Sequence, residues 1–323
     1  MTAGLPTSVE TAAARERVYQ HLRPTPLLAY PGIDALVGTT VWIKHENHHG
    51  VGAFKVRGGV NLAASLTDAE ARAGLYTAST GNHGQSISFA GKIRSAPVMV
   101  GVPDGANPSK VAAMEGLGAT VVTAGKDFDE AREWAMAESE RHGGRFVGPA
   151  EPELIAGVAS YAAEILDDLP DLDVIVVPVG SGSGATAVCL TVRTTNPGIE
   201  VIGVQAEAAP AAYLTWKHRT PTEAPMETDA EGLATRVPFA NTQAVMQDPG
   251  IGLTDFRLVP EESMRHAVRL LLEHTHNLAE LAGAAPLAAA LGMADELAGK
   301  RVVLVLSGGN LAVSKLRSIL SEG

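Results

Sequence analysis

A single cysteine, Cys189, in 323 residues leaves no intramolecular disulfide framework and no multi-cysteine zinc or iron–sulfur centre. Aromatic residues make up only 4% of the chain, so the apolar mass rests on Ala, Val and Leu, which suits helices packed on a sheet. Basic residues are in the minority: 25 Lys and Arg face 36 Asp and Glu, for a formal net charge of -11. Without a field of Lys and Arg, a nucleic-acid ligand is disfavoured. No run reaches the roughly 18 apolar residues of a membrane span. The segment Met1 to Ser8 has no positive stretch followed by an apolar core, so no export signal is expected and the cytoplasm is the expected location. What is present, 46% apolar and 19% charged residues, is ample for a sizeable core.

Short β-branched runs alternate with longer helix-like stretches, which predicts a mostly parallel α/β fold. Strands are predicted at Val41–Glu46, Gly74–Ser79, Pro97–Val102, Thr120–Ala124, Arg145–Val147, Val174–Val179, Glu200–Ala206 and Arg301–Ser307. Several are apolar on both faces, so helices should cover both sides of the sheet. Helices are predicted at Ser8–Leu22, Ser109–Leu117, Asp127–His142, Glu153–Asp168, Glu261–His276 and Ala284–Leu297. Residues 74–150 form a self-contained β-α-β-α-β run. They suggest a small domain inserted into a larger one made of residues 1–73 and 151–323. The stretch Trp216–Asp248 is the least regular and reads as a surface excursion near a site.

Four strand-to-helix turns carry chemistry. Lys55 follows a Gly-bearing turn and opens a helix, where the positive end of the macrodipole disfavours its ammonium and favours a nucleophilic amine; taken alone, a solvated lysine is the plainer reading. Ser79, Thr80, Gly81, Asn82, His83 and Gly84 lie between a strand and a helix. Three hydroxyl or amide side chains and two glycines exceed what an N-cap needs, and free N–H groups there can hold a carboxylate. Gly180, Ser181, Gly182, Ser183 and Gly184 follow a third strand and suit a phosphate. The loop is neither a Walker loop nor a Gly-x-Gly-x-x-Gly turn, although Glu207 stands near where a ribose-binding acid would, which keeps a dinucleotide in contention. Ser307 ends the strongly apolar strand Arg301–Ser307, at a strand's carboxyl end, where ligands of open α/β sheets gather.

A nucleophilic lysine, a carboxylate nest, a phosphate loop and a strand-end hydroxyl are the parts that hold pyridoxal 5′-phosphate and an amino acid. In these motifs and their order, from Thr25-Pro26-Leu27 through Asn310, the chain resembles the fold-type II pyridoxal-phosphate enzymes, in the branch of threonine/serine dehydratases and serine racemases. The resemblance implies that Lys55 is the Schiff-base lysine, with Phe54 beside the cofactor ring. It makes Ser79, Thr80, Gly81, Asn82 and His83 the substrate-carboxylate loop, Thr80 being the position that can act on the opposite face of the substrate. Asn82 then lies near the phenolic oxygen, Gly180 to Gly184 cradle the phosphate, Ser307 meets the pyridine nitrogen, Gly232 walls the ring and Glu280 is an acid near the cofactor. A homodimer is implied by the family, with a small amino acid as the substrate.

The implied activity is β-elimination from a small 3-hydroxy amino acid such as L-threonine or L-serine, giving a 2-oxo acid and ammonia. A hydroxyl at Ser307 cannot hold the pyridine nitrogen protonated as a carboxylate can, so the electron sink is weaker and prompt loss of a β-substituent is favoured. Replacement enzymes resembling threonine or cysteine synthase, and racemases, are the alternatives within the class. A nucleotide-binding protein that keeps the fold is the alternative outside it.

Several positions depart from the family pattern. Thr80 stands where dehydratases often have Ala and racemases Ser, and its methyl restricts the rotamer. Tyr213 occupies the place of an Asp that, with a Glu matching Glu207, binds a divalent cation in racemase-like members; a phenol is a poor ligand, so no metal site is expected. Ala150 and Gly157–Ser160 differ beside the pocket, at the substrate side chain. The chain ends soon after Asn310, so no C-terminal regulatory domain is expected. His45, His48 and His49 lack ligand spacing and read as solvated, His274 and His276 as helix-surface residues, and Cys189 as a buried small apolar residue.

Overall fold

The structure, a computed structural model, describes residues 4–322; Met1 to Ala3, part of the segment read for an export signal, lie outside them. Among the described residues ten strands run in chain order as β1 (Leu27–Ala29), β2 (Val41–His45), β3 (Leu75–Ala78), β4 (Val98–Val102), β5 (Thr120–Thr123), β6 (Arg145–Phe146), β7 (Val174–Pro178), β8 (Glu200–Ala206), β9 (Asp255–Val259) and β10 (Val302–Leu306). The helices of the first half are α1 (Ser8–Tyr19), α2 (Pro31–Val37), α3 (Lys55–Ser65), α4 (Asp68–Ala73), α5 (Asn82–Arg94), α6 (Pro108–Gly116), α7 (Phe128–His142) and α8 (Pro152–Asp168). Those of the second half are α9 (Ser183–Thr195), α10 (Ala211–His218), α11 (Ala240–Met246), α12 (Glu261–Thr275), α13 (Leu281–Gly292), α14 (Ala294–Leu297) and α15 (Val313–Leu320).

The strands form two sheets. The larger has the order β1-β2-β10-β7-β8-β9 and the smaller β5-β4-β3-β6. All pairings are parallel except β1 with β2. Every residue of β10, Val-Val-Leu-Val-Leu, is buried, as a central strand covered by helices on both faces must be. One face packs on α13 and α12 through Val176, Leu304, Ala285 and Val268. The opposite face packs on α8 and α9 through Ile175, Val303, Ile165 and Val188. The smaller sheet uses strands from residues 75–146 alone, yet its core also takes in Leu62 and Ala63 of α3, Leu66 just after it and Leu154 of α8.

Local signals explain the element ends. Asp127 caps α7 by accepting from the Glu130 N–H, and Gly143 ends it in the left-handed conformation. The structure adds two strands that the sequence pattern does not show. β1 is three residues long, and β9, Asp-Phe-Arg-Leu-Val, is an edge strand whose charges face outward. The helix predicted from Ala284 begins at Leu281, with Pro286 tolerated inside it, and breaks at Met293 before α14. The excursion Trp216–Asp248 contains α11 and the end of α10. Two of the histidines expected in solvent are buried. His45 lies within β2 and shares a hydrogen bond with the Tyr30 hydroxyl at 2.9 Å, and burial, with the neighbouring His48, pushes it down to about 4. His49 packs against Glu46.

Candidate active site

The carboxyl ends of β3, β7 and β10 and the turn after β2 point to one region, and the helices that follow, α5, α9 and α3, begin there. Lys55 is the first residue of α3. Its Nζ donates to the Ser183 hydroxyl at 2.7 Å, the Pro149 carbonyl at 3.1 Å and the Ser181 hydroxyl at 3.2 Å. All three partners are neutral, so nothing offsets desolvation, and burial brings the amine down to about 7. The nitrogen lies 5.3 Å from the centre of the Phe54 ring.

A buried ionic network anchors the first turn of α3. The Arg57 guanidinium donates to both oxygens of Glu46, at 2.7 and 2.9 Å, and to both oxygens of Glu164, at 2.6 and 2.8 Å. Lys44 joins Glu164 at 2.6 Å and the Thr25 carbonyl at 2.8 Å. Two cations and two carboxylates therefore balance in a region closed to solvent. Burial by itself would raise both carboxyls, but the charge and hydrogen bonds of Arg57 hold Glu46 and Glu164 below the usual carboxylate range.

The loop from Gly180 to Gly184 is a backbone cradle. The N–H groups of residues 180–185 have no acceptor among the described residues, and Gly182 leads α9 without a side-chain cap. A Cβ on Gly180 would stand 2.0 Å from the Gly232 carbonyl oxygen, and Gly182 sits at φ +84° with Thr242 Oγ1 2.7 Å from where its Cβ would be. Both positions require glycine. Thr242 also donates to the Ser181 carbonyl at 2.8 Å, fixing the loop from α11.

The second loop, before α5, has the same character. The N–H groups of Thr80, Asn82, His83 and Gly84 are without acceptors among the described residues, while Gly81 N–H donates to the Ser79 hydroxyl at 3.1 Å. His83 shares Nε2 with the Val147 carbonyl at 3.1 Å and leaves Nδ1 buried without a partner among the described residues. Burial, then the charge of Lys55, pushes it down to about 3, so the ring is neutral. Asn82 donates to Glu280 at 2.6 Å and accepts from Asn310 at 2.7 Å. Burial raises the Glu280 carboxyl above its ordinary value, against the opposing pull of Lys110 and Asn82. Ser307 is buried, and its carbonyl accepts from the Phe54 N–H at 3.0 Å.

The structure thus gathers Lys55, Phe54, Ser181, Ser183, the glycine loop and Gly232 on one side, and Asn82, Glu280 and Gly308 beside Ser307 on the other. Thr80 is half-buried on its loop and makes no side-chain hydrogen bond among the described residues, and Glu207 is exposed at the end of β8. Sequence reasoning missed Asn310 as a working residue, the Pro149 carbonyl, and the pair Lys110–Glu231, joined at 2.6 Å above Gly81. A cavity of about 180 Å³ opens between Lys110, Glu231, Gly232, Glu280 and Asn310.

The donor set fits pyridoxal phosphate. A desolvated amine without a counter-ion, a run of free N–H groups at a helix start, a neutral strand-end serine and a second N–H nest match its aldehyde, phosphate, pyridine nitrogen and amino acid partner. Residues 18–308 match the family model described as pyridoxal-phosphate dependent enzyme. The chain is 36% identical over 313 residues to an L-threonine ammonia-lyase of Geobacter sulfurreducens, spanning 96% of this chain and 77% of that protein. It is 32% identical over 316 residues to a beta-hydroxyaspartate dehydratase of Paracoccus denitrificans, spanning 97% and 98%. The solved serine racemase of Dictyostelium discoideum has the same architecture, with a TM-score of 0.88, 30% identity and coverage of 96% and 100%. The two-sheet frame agrees with these likenesses: the chain belongs to the pyridoxal-phosphate dependent enzymes, of fold type II.

Proposed function

We propose that the protein is an ammonia-lyase. It eliminates the hydroxyl of a small 3-hydroxy amino acid, L-threonine or L-serine, and hydrolysis then leaves a 2-oxo acid and ammonia. The observation that carries the reading is the Lys55 amine, brought to about 7 and held against the Ser183 hydroxyl at the head of α9. Relatives named L-threonine ammonia-lyase support the substrate.

Lys55 Nζ would hold the cofactor aldehyde. The N–H groups of Gly180 to Gly184, with the Ser181 and Ser183 hydroxyls, would hold its phosphate at the positive end of α9. Asn82 would donate to the phenolic oxygen, the Ser307 hydroxyl would meet the pyridine nitrogen and Phe54 and Gly232 would flank the ring, with Glu280 behind Asn82. A pyridoxal phosphate held there would supply the electron sink that makes the substrate α-hydrogen acidic. The free N–H groups of Thr80, Asn82 and His83 and the Ser79 and Thr80 hydroxyls hold the substrate carboxylate. Lys55 Nζ is the base that would take the substrate α-proton. The restricted Thr80 hydroxyl favours elimination over racemisation.

The same reading divides the chain into a large cofactor-binding domain, residues 1–73 and 151–323, and a smaller one, residues 74–150, with α3 packed between α5 and α8. Among the described residues no helix is long and apolar enough to cross a membrane. The proposal extends to a cytoplasmic homodimer, for which Leu28 and Leu36, exposed beside the β1 edge, offer apolar contact surface; sedimentation checks it. The functional test is an end-point assay for 2-oxo acid and ammonia with L-serine, L-threonine and 3-hydroxyaspartate. Oxo acid from threonine or serine is expected. Racemate or replacement product with no oxo acid would overturn the lyase reading.

A further inference from the structure

We infer that Asn310 and Glu280 are positioning residues that set the direction of the Asn82 amide, so that it offers an N–H and not its carbonyl oxygen to the cofactor. The inference rests on the reading that pyridoxal phosphate is joined to Lys55 with its phenolic oxygen at Asn82. An amide has a donor end and an acceptor end of nearly equal size, so packing alone does not choose between them. Here a chain of hydrogen bonds does, and it starts at a group that can only accept.

That group is the Val51 carbonyl. Asn310 Nδ2 donates to it at 2.9 Å, and the second hydrogen of the same nitrogen goes to Asn82 Oδ1 at 2.7 Å. With its oxygen engaged there, Asn82 turns its nitrogen to Glu280 Oε1 at 2.6 Å. Glu280 is only 7% exposed and approaches the backbone closely: a Cβ on Gly308 would lie 2.5 Å from its Oε1 and 3.3 Å from Asn82 Nδ2. The polarity holds in either protonation state of Glu280, because a protonated carboxyl still has a carbonyl oxygen to accept with. One Asn82 N–H is left without a partner among the described residues. It is the group available to the phenolic oxygen, whereas a reversed amide would set oxygen against oxygen. Asn310 and Glu280 come from the turns after β10 and before α13, so the larger sheet dictates the orientation of a side chain on the loop of the smaller one.

The test compares pyridoxal phosphate with 3-deoxypyridoxal 5′-phosphate, which keeps the aldehyde and phosphate but lacks the phenolic oxygen. Wild-type protein should bind the natural cofactor about tenfold or more tightly, the worth of a hydrogen bond to a charged oxygen. In Asn310→Ala, and further in Asn310→Ala with Glu280→Gln, the Asn82 amide is free to turn. The preference should then fall to about threefold or less while affinity for the deoxy analogue changes little. Asn310→Ser serves if the alanine variant does not fold. A preference that survives in the folded variants, a wild-type protein without preference, or equal weakening of both cofactors would overturn the inference. Borohydride labelling of wild-type Lys55 separates these outcomes from failure of the cofactor reading itself.

Discussion

Removing one carboxylate from the buried network behind α3 is expected to destabilise the protein more than removing a carboxylate and a cation together. Glu164→Gln leaves Lys44 and Arg57, both fully buried, facing Glu46 alone, so an uncompensated positive charge stays in a region without solvent. Breaking a buried pair in this way costs about 3–5 kcal/mol, which for a chain of this size is a fall in melting temperature on the order of 10 °C. Lys44→Met combined with Glu164→Gln restores neutrality and should recover more than half of that loss. The assay is thermal or urea unfolding of cofactor-saturated protein, with cofactor content measured alongside, because Arg57 lies two residues from Lys55 on α3. The pH dependence has a definite sign. Both carboxyls are held below their ordinary value in the folded state, so their contribution is present above the ordinary carboxylate range and is lost as pH falls through the folded values. Equal stability of wild type and Glu164→Gln, or a double variant as unstable as the sum of its parts, would refute the reasoning.

Gly180→Ala should abolish tight cofactor binding, since its Cβ would enter within 2.0 Å of the Gly232 carbonyl oxygen and one of the two backbones must move; equilibrium titration with pyridoxal phosphate reads the loss. In cofactor-free protein, the rate of attachment should rise with pH to a midpoint of about 7, because the neutral Lys55 amine is the nucleophile and burial has lowered it there. A midpoint near that of free lysine would show that the amine is solvated. Thr80→Ala should keep elimination within about tenfold of wild type, while Thr80→Ser should increase racemisation, measured by chiral chromatography, because the β-methyl no longer restricts the hydroxyl.

Much of the frame was legible because its signals are local. The apolar runs of β7 and β10 and the glycine-bearing turns after them are readable from neighbours in sequence, and so is Asp127 as a helix start. Lys55 gained its meaning only from the company of three other turns, each weak alone. What escaped was set by partners far along the chain. The bond from Asn82 to Glu280 joins residues 198 apart, and that from Lys44 to Glu164 joins residues 120 apart. No window of sequence shows that Asn310 locks an amide on another sheet, or that Lys110 reaches Glu231. His45 and His49 looked solvated because a cluster of polar residues usually is; in the fold, Tyr30 covers one and the Glu46–Arg57 pair adjoins the other. Strand β9 was missed for a related reason: its alternating charges find partners such as Glu296, which pairs with Arg257 from outside the sheet.

The central claim is a covalent one, and reduction with borohydride followed by peptide mass mapping tests it most directly. Protein saturated with pyridoxal phosphate should carry the reduced phosphopyridoxyl group on Lys55, and the Lys55→Ala variant should lose the visible absorption. Saturated protein whose Lys55 peptide stays unmodified, or whose label sits on another lysine, would contradict it.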